Sequence, residues 1–225
     1  MRAAGQAFGA VPDTFDTIET LYIELLKVLD SHFSEHPYLL GGKPYIADFG
    51  MLAPLYAHLG RDPKPLSLMR EHAIHTFRWV ERMNRPEHDV GEFETQDGEY
   101  PASDEIPASL VNVLKHIALD FVPETRAAAS CINDWISQQE NLEPGTECAR
   151  GVGMANFQLR GMTINALAQP FRFYLLKRVQ DEFESLDNQQ RAEVTSLLDA
   201  CQMTDILKMK LSRNIGRQNN LEVWL

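Results

Sequence analysis

The sequence predicts an all-α protein, a helical bundle followed by a mostly helical C-terminal extension that carries one short β-hairpin. Apolar residues recur at intervals of three and four through most of the chain, which is the spacing of one helix face. Prolines and glycines punctuate those runs at their edges. Alternating stretches meet at a two-residue turn around Arg160-Gly161, within Ala155 to Ala168, and this is where the hairpin is expected.

Residues 1–12 are small, rich in Gly and Ala and without a period, and read as a linker. From Asp13, a first helix is marked by Ile18, Leu21, Tyr22, Leu25, Leu26, Leu29 and Phe33, with Asp13 or Thr14 as N-cap and Pro37 as the stop. A second begins near Ile46 and ends at Gly60; Pro54 inside it removes a backbone hydrogen bond and predicts a kink or loosened turn. A third runs from about Pro65 to Asn84 with Leu66, Met69, Ala73, Phe77, Val80 and Met83 inward. Residues 13–88 thus form one antiparallel helical domain.

Residues 89–104 are acidic, with few large apolar side chains, and read as a linker. The extension, 105–225, is expected to hold helices from Ile106 to Phe121, Pro123 to Gln139, Pro170 to Leu186 and Asn188 to Cys201, with the helical pattern continuing over Asp205 to Arg217. Phe173, Leu175, Leu176, Val179 and Phe183 are the expected buried set of the Pro170 helix.

The formal net charge of -11 over 225 residues argues against nucleic acid and anionic membrane surfaces as partners. One local exception, Lys208, Lys210, Arg213 and Arg217, reads as a solvated face, with anion binding as the alternative. No apolar stretch approaches the ~20 residues of a bilayer span, and the first residues lack the hydrophobic segment of a signal peptide. Cys131, Cys148 and Cys201, widely spaced and without a metal-ligand pattern, fit a reducing, cytoplasmic location.

The most informative stretch is His36-Pro37-Tyr38-Leu39-Leu40-Gly41-Gly42-Lys43-Pro44-Tyr45-Ile46-Ala47-Asp48-Phe49. Gly41 and Gly42 give the backbone freedom for a tight reversal, and Asp48 stands where a carboxylate accepts hydrogen bonds from the first turn of the next helix. This motif, with the helices around it over residues 14–86, resembles the C-terminal helical domain of glutathione transferases. The resemblance implies a Ser or Thr at the position of Tyr45, so half of the reciprocal capping box is absent here, at a cost of about 0.5–2 kcal/mol. Gly41, Gly42, Tyr45, Ile46, Ala47 and Asp48 are therefore a folding motif, not a catalytic one.

In that family, glutathione and the activated thiolate belong to an N-terminal thioredoxin-like domain, which residues 1–225 do not include. No catalytic, cofactor-binding or metal-binding residue is carried over, and glutathione would require the other domain. Tyr22, Tyr56, Phe77 and Trp79 are candidates to line an apolar pocket, against core packing as the plainer reading. His32 with His36, and His72 with His75, have two-ligand spacing on a helix face, but no third ligand type accompanies either pair.

Two functions follow as expectations. The chain is the helical part of a glutathione transferase-like enzyme, truncated and inactive alone, whose parent conjugates glutathione to a small apolar electrophile. Alternatively it is a non-catalytic interaction or assembly module with that fold. Either way a homodimer or partner protein is expected, because the domain missing from the family layout leaves an apolar face uncovered.

Overall fold

The computed structural model describes residues 2–85, 92–93 and 98–225, with the side chains of Arg2 and Ala3 excepted. The chain is mostly helical and carries two small antiparallel sheets, so the all-α expectation holds only in part. The chain divides into two compact units, Thr17–Ile117 and Met1–Asp16 with Ala118–Leu225. Of the acidic stretch 89–104, residues 89–91 and 94–97 lie outside the described residues; Ala102–Asp104 forms a single 3-10 turn.

The first twelve residues, which show no period, contain a short helix, α1 (Arg2–Ala7), built on alanine, the best intrinsic helix former. A 3-10 turn at Pro12–Thr14 follows, and the Thr14 hydroxyl accepts from Val11 N–H at 3.0 Å and donates to the Gly9 carbonyl at 2.6 Å. Then α2 (Phe15–Glu35) runs to the residue before His36, close to the expected stop.

In the Thr17–Ile117 unit, α3 (Ile46–Pro54) is followed by a π-helical turn, Leu55–Leu59. The wider turn is the loosening that Pro54 predicts, since proline has no N–H to keep the tighter pattern. The single helix expected over Pro65 to Asn84 is two, α4 (Pro63–His72) and α5 (Ile74–Met83), broken at Ala73 with φ -154 and ψ 66. The break is held by a tertiary cap: Asp30 Oδ1 accepts from the N–H groups of His75 at 2.6 Å and Thr76 at 3.1 Å, satisfying two of the open donors of α5. Leu26, Leu29, Phe33, Leu55, Met69 and Val80 form the buried core, and the Phe33 ring stacks on Trp79 at 4.7 Å.

The next helix, α6 (Ala108–Ser137), corrects another expectation, because the two helices foreseen on either side of Val122 are continuous and Pro123 lies inside. The hydrogen bond that proline removes would have ended on Leu119, an exposed residue whose carbonyl can turn to water.

In the second unit, β1 (Met154–Leu159) and β2 (Met162–Leu167) form the expected hairpin, with Leu159 opposite Met162. Its two-residue loop has φ 50 at Arg160 and φ 83 at Gly161, the mirror-image turn that matches strand twist. Then α7 (Phe171–Ser185) and α8 (Asn188–Ala200) follow; the Asp187 carboxylate caps α8 through Gln190 N–H at 2.9 Å. Phe173 and Leu176 are buried on α7, but Leu175 and Val179 are exposed, because the buried face of the helix runs through Phe173, Leu176 and Gln180.

The helix expected over Asp205 to Arg217 is absent. A 3-10 turn, Thr204–Leu207, leads to a second hairpin, β3 (Ile215–Gln218) and β4 (Leu221–Trp224). Asn219 and Asn220, at φ 50 and 64, supply its turn, since a short polar side chain tolerates the left-handed region. Trp224 is buried and stacks on Trp135 of α6 at 5.6 Å.

Candidate functional site

The motif His36 to Phe49 becomes a turn clamped on three sides, all within the Thr17–Ile117 unit. Tyr38 N–H donates to the Gly41 carbonyl at 3.1 Å and closes the reversal. Gly41 sits at φ 88, where a side chain would be strained, and a Cβ on Gly42 would lie 2.5 Å from the Gly98 carbonyl carbon. Both glycines are thus required by the path of the chain.

The first clamp is Asp48, on the opening turn of α3 and fully buried. Its Oδ2 accepts from Tyr45 N–H at 2.9 Å, while Oδ1 accepts from Leu39 N–H and the Trp79 indole N–H, each at 3.1 Å. The carboxylate therefore makes its half of the capping box, and the Tyr45 phenol makes none. Burial raises the carboxyl above its ordinary range, even though all three N–H donors favour the charged form.

His32 is the second clamp. Its Nε2 lies 3.2 Å from the Tyr38 carbonyl and its Nδ1 2.9 Å from Ser109 Oγ. A carbonyl only accepts, so Nε2 carries the proton and Nδ1 accepts from the serine hydroxyl. Burial lowers the imidazole pKa to about 4 and keeps it neutral at pH 7. Arg82 is the third: its Nε and Nη2 donate to the Pro37 carbonyl at 3.2 and 2.9 Å, and Nη1 donates to Glu92 Oε2 at 3.1 Å. The guanidinium also lies over the rings of Tyr38 and Phe93.

The four candidate pocket residues have different surroundings. Trp79 is enclosed in the core, Tyr22 donates its hydroxyl to the Pro65 carbonyl at 3.2 Å, Tyr56 accepts from Arg61 at 3.3 Å, and Phe77 lies under the Arg70 guanidinium. His32 and His36 have ring centroids 5.0 Å apart, but both nitrogens of His32 are engaged. His72 and His75 stand on different helices, across the break at Ala73. Among the described residues no group of three or more His, Cys, Asp or Glu side chains could hold a metal ion, and no helix is long and apolar enough to cross a membrane.

The cysteines carry no disulfide. Burial, with Glu222 and Glu147 nearby, pushes the Cys148 thiol to about 11, and burial with Asp134 raises Cys131, so neither is activated as a thiolate. Cys201 is buried.

What the motif presents outward is apolar. Ile46 is 76% exposed, Phe49 58% and Tyr45 46%. Gly50 and Ala53 continue the same face of α3, and a Cβ on Gly50 would meet no atom within 4 Å. Helical spacing groups Phe49 with Leu52, Ala53, Tyr56 and Leu59 on one stripe, yet Phe49 is exposed and the buried side of α3 is set by Asp48. Comparisons with protein-family models, curated proteins and solved structures find no match to this chain.

Proposed function

We propose that this chain is a non-catalytic assembly module, and that α3 docks on α3 of a second copy. The observation that carries this reading is the exposed face Tyr45, Ile46 and Phe49, large apolar side chains beside a helix start whose buried polar groups all serve the fold. The face is self-complementary in shape. Ile46 and Phe49 are bulky, Gly50 and Ala53 are small, and an antiparallel two-fold pairing lays the bulky half of one helix on the small half of its mate.

The resemblance to glutathione transferase C-terminal domains belongs to the same proposal. It is supported by the Gly41-Gly42 turn and by the hydrogen bond from Tyr45 N–H to Asp48, which have the form the family motif implies. Under the enzyme reading the α3 face would meet a thioredoxin-like domain, and conjugation chemistry would reside there.

Light scattering on the eluting protein, with calorimetric titration of glutathione, separates the two readings. The assembly reading predicts a dimer, conversion to monomer by Phe49→Glu, and no heat with glutathione. A monomer at all concentrations, or a heat of glutathione binding, would overturn it.

A further inference from the structure

A second feature lies in the other unit and is independent of the assembly reading. A cleft of about 400 Å³ runs between α6 and β1. One wall is a face of α6, where Ala127, Cys131, Asp134 and Trp135 recur at helical spacing. The other wall holds Met154, Ala155 and Asn156, three consecutive residues of one strand. Consecutive side chains on a strand point to opposite faces, so a cavity that meets all three borders the edge of β1, not a face of the hairpin. β2 occupies one edge of β1, which makes this the free one.

The backbone groups on that edge follow from the turn. In a two-residue hairpin the pair flanking the loop, Leu159 and Met162, is hydrogen-bonded, and bonded pairs then alternate along the ladder. The far end has the same phase, since Ala168 N–H donates to the Gly153 carbonyl at 2.8 Å. Ala155, Phe157 and Leu159 therefore turn their N–H and C=O groups toward β2, while Met154 and Asn156 turn theirs outward. Among the described residues no donor or acceptor meets those outward groups. A free edge is commonly guarded by a charged side chain or a proline, and β1, Met-Ala-Asn-Phe-Gln-Leu, has neither. The outer edge of β2 is by contrast approached by the N-terminal segment: a Cβ on Gly9 would lie 3.1 Å from the Asn165 carbonyl oxygen.

We propose that this cleft takes up an extended peptide that carries a basic residue, adding a third strand to the hairpin. The outward N–H and C=O groups of Met154 and Asn156 pair with the peptide backbone, and the cleft selects the side chains. Asp134 gives the cleft a negative charge that no lining Lys or Arg offsets, and Trp135 beside it supplies an aromatic surface, so a lysine or arginine of the peptide is favoured there. Met154 and Asn156 are about 7 Å apart along the strand, and at ~30 Å³ per water-sized group the volume holds about thirteen heavy atoms, enough for the stretch of extended chain that spans them.

The probe is acetyl-Thr-Val-Lys-Val-Thr-amide, titrated calorimetrically into the full chain beside the same peptide with Glu in place of Lys and the same peptide with every backbone amide N-methylated. The lysine peptide is expected to bind with a Kd below about 5 mM, and the other two at least about fivefold more weakly. Asp134→Asn, at an exposed side chain, is expected to erase the preference for lysine over glutamate. Asn156→Pro removes an outward N–H without touching the ladder to β2, so the thermal midpoint is expected to stay near that of the wild type while lysine-peptide binding falls at least about fivefold. The proposal is overturned by a lysine-peptide Kd above about 5 mM, by equal binding of the N-methylated peptide, which would mark a site for an organic cation, or by a lysine preference that survives Asp134→Asn. It is also overturned if folded Asn156→Pro binds as the wild type does, or if that substitution turns a dimer into a monomer, since a second copy then covers the edge.

Discussion

The indole N–H of Trp79 donates to Asp48 Oδ1 at 3.1 Å, and neither residue has any exposed surface. A residue at the start of α3 is thus fixed to the middle of α5, and through Leu39 N–H to the turn before it. In Asp48→Asn, one oxygen still serves Leu39 and Trp79, but the amide nitrogen faces Tyr45 N–H, donor against donor. Urea unfolding is expected to show a loss of about 1–3 kcal/mol, and Asp48→Ala, which orphans three donors, a loss of about 3–5 kcal/mol. Because burial raises the Asp48 carboxyl above 3.8, its titration favours the fold at acid pH, and that contribution is lost as pH rises through the folded value.

His32 acts with the opposite sign. Its pKa falls from 6.5 unfolded to about 4 folded, so the unfolded chain binds the extra proton between those values. The contribution is fully present above pH 6.5 and is lost as pH falls toward 4, amounting to about 3 kcal/mol. Denaturant midpoints measured from pH 7.5 to 4.5 should fall for the wild type, and His32→Gln should flatten that decline.

The reversal at Gly41 and Gly42 admits no side chain. Gly42→Ala places its Cβ against the backbone at Gly98, and Gly41→Ala combines φ 88 with a contact to Pro101 Cδ at 2.9 Å. Each is expected to cost about 1–3 kcal/mol in urea unfolding, with Gly50→Ala, which meets open space, near neutral or stabilising by comparison.

The second hairpin offers a gain. Asn220 holds φ 64 at the second position of its turn, where glycine is preferred. Asn220→Gly is expected to raise stability by about 0.5–1 kcal/mol, read as a higher thermal midpoint.

What the sequence made legible was local. The β1–β2 turn was visible because Arg160-Gly161 stands between two alternating runs, and the loosened turn after α3 because Pro54 has no N–H to give. Features set by distant residues were not visible. The α4–α5 break depends on Asp30, far back on α2, and nothing near Ala73 announces it. Pro123 looks like a helix start, yet α6 tolerates it where the orphaned carbonyl can reach water. The Asn219-Asn220 turn was missed because apolar residues upstream, Ile206, Leu207, Met209 and Leu211, imitate a helical run. The folding role of Asp48 was readable from its spacing, but its bond to Trp79 was not, and neither was the cleft between α6 and the free edge of β1.

The assembly account is tested most directly by a cysteine placed on the proposed two-fold. Gly50→Cys, near the point where the antiparallel α3 pair crosses, is oxidised beside Ser34→Cys, an exposed control on α2, and disulfide-linked dimer is followed over time at equal protein concentration. The account predicts rapid cross-linking of Gly50→Cys that Ile46→Glu abolishes, with slow, concentration-driven linkage of Ser34→Cys. Equal rates for the two cysteines would contradict it.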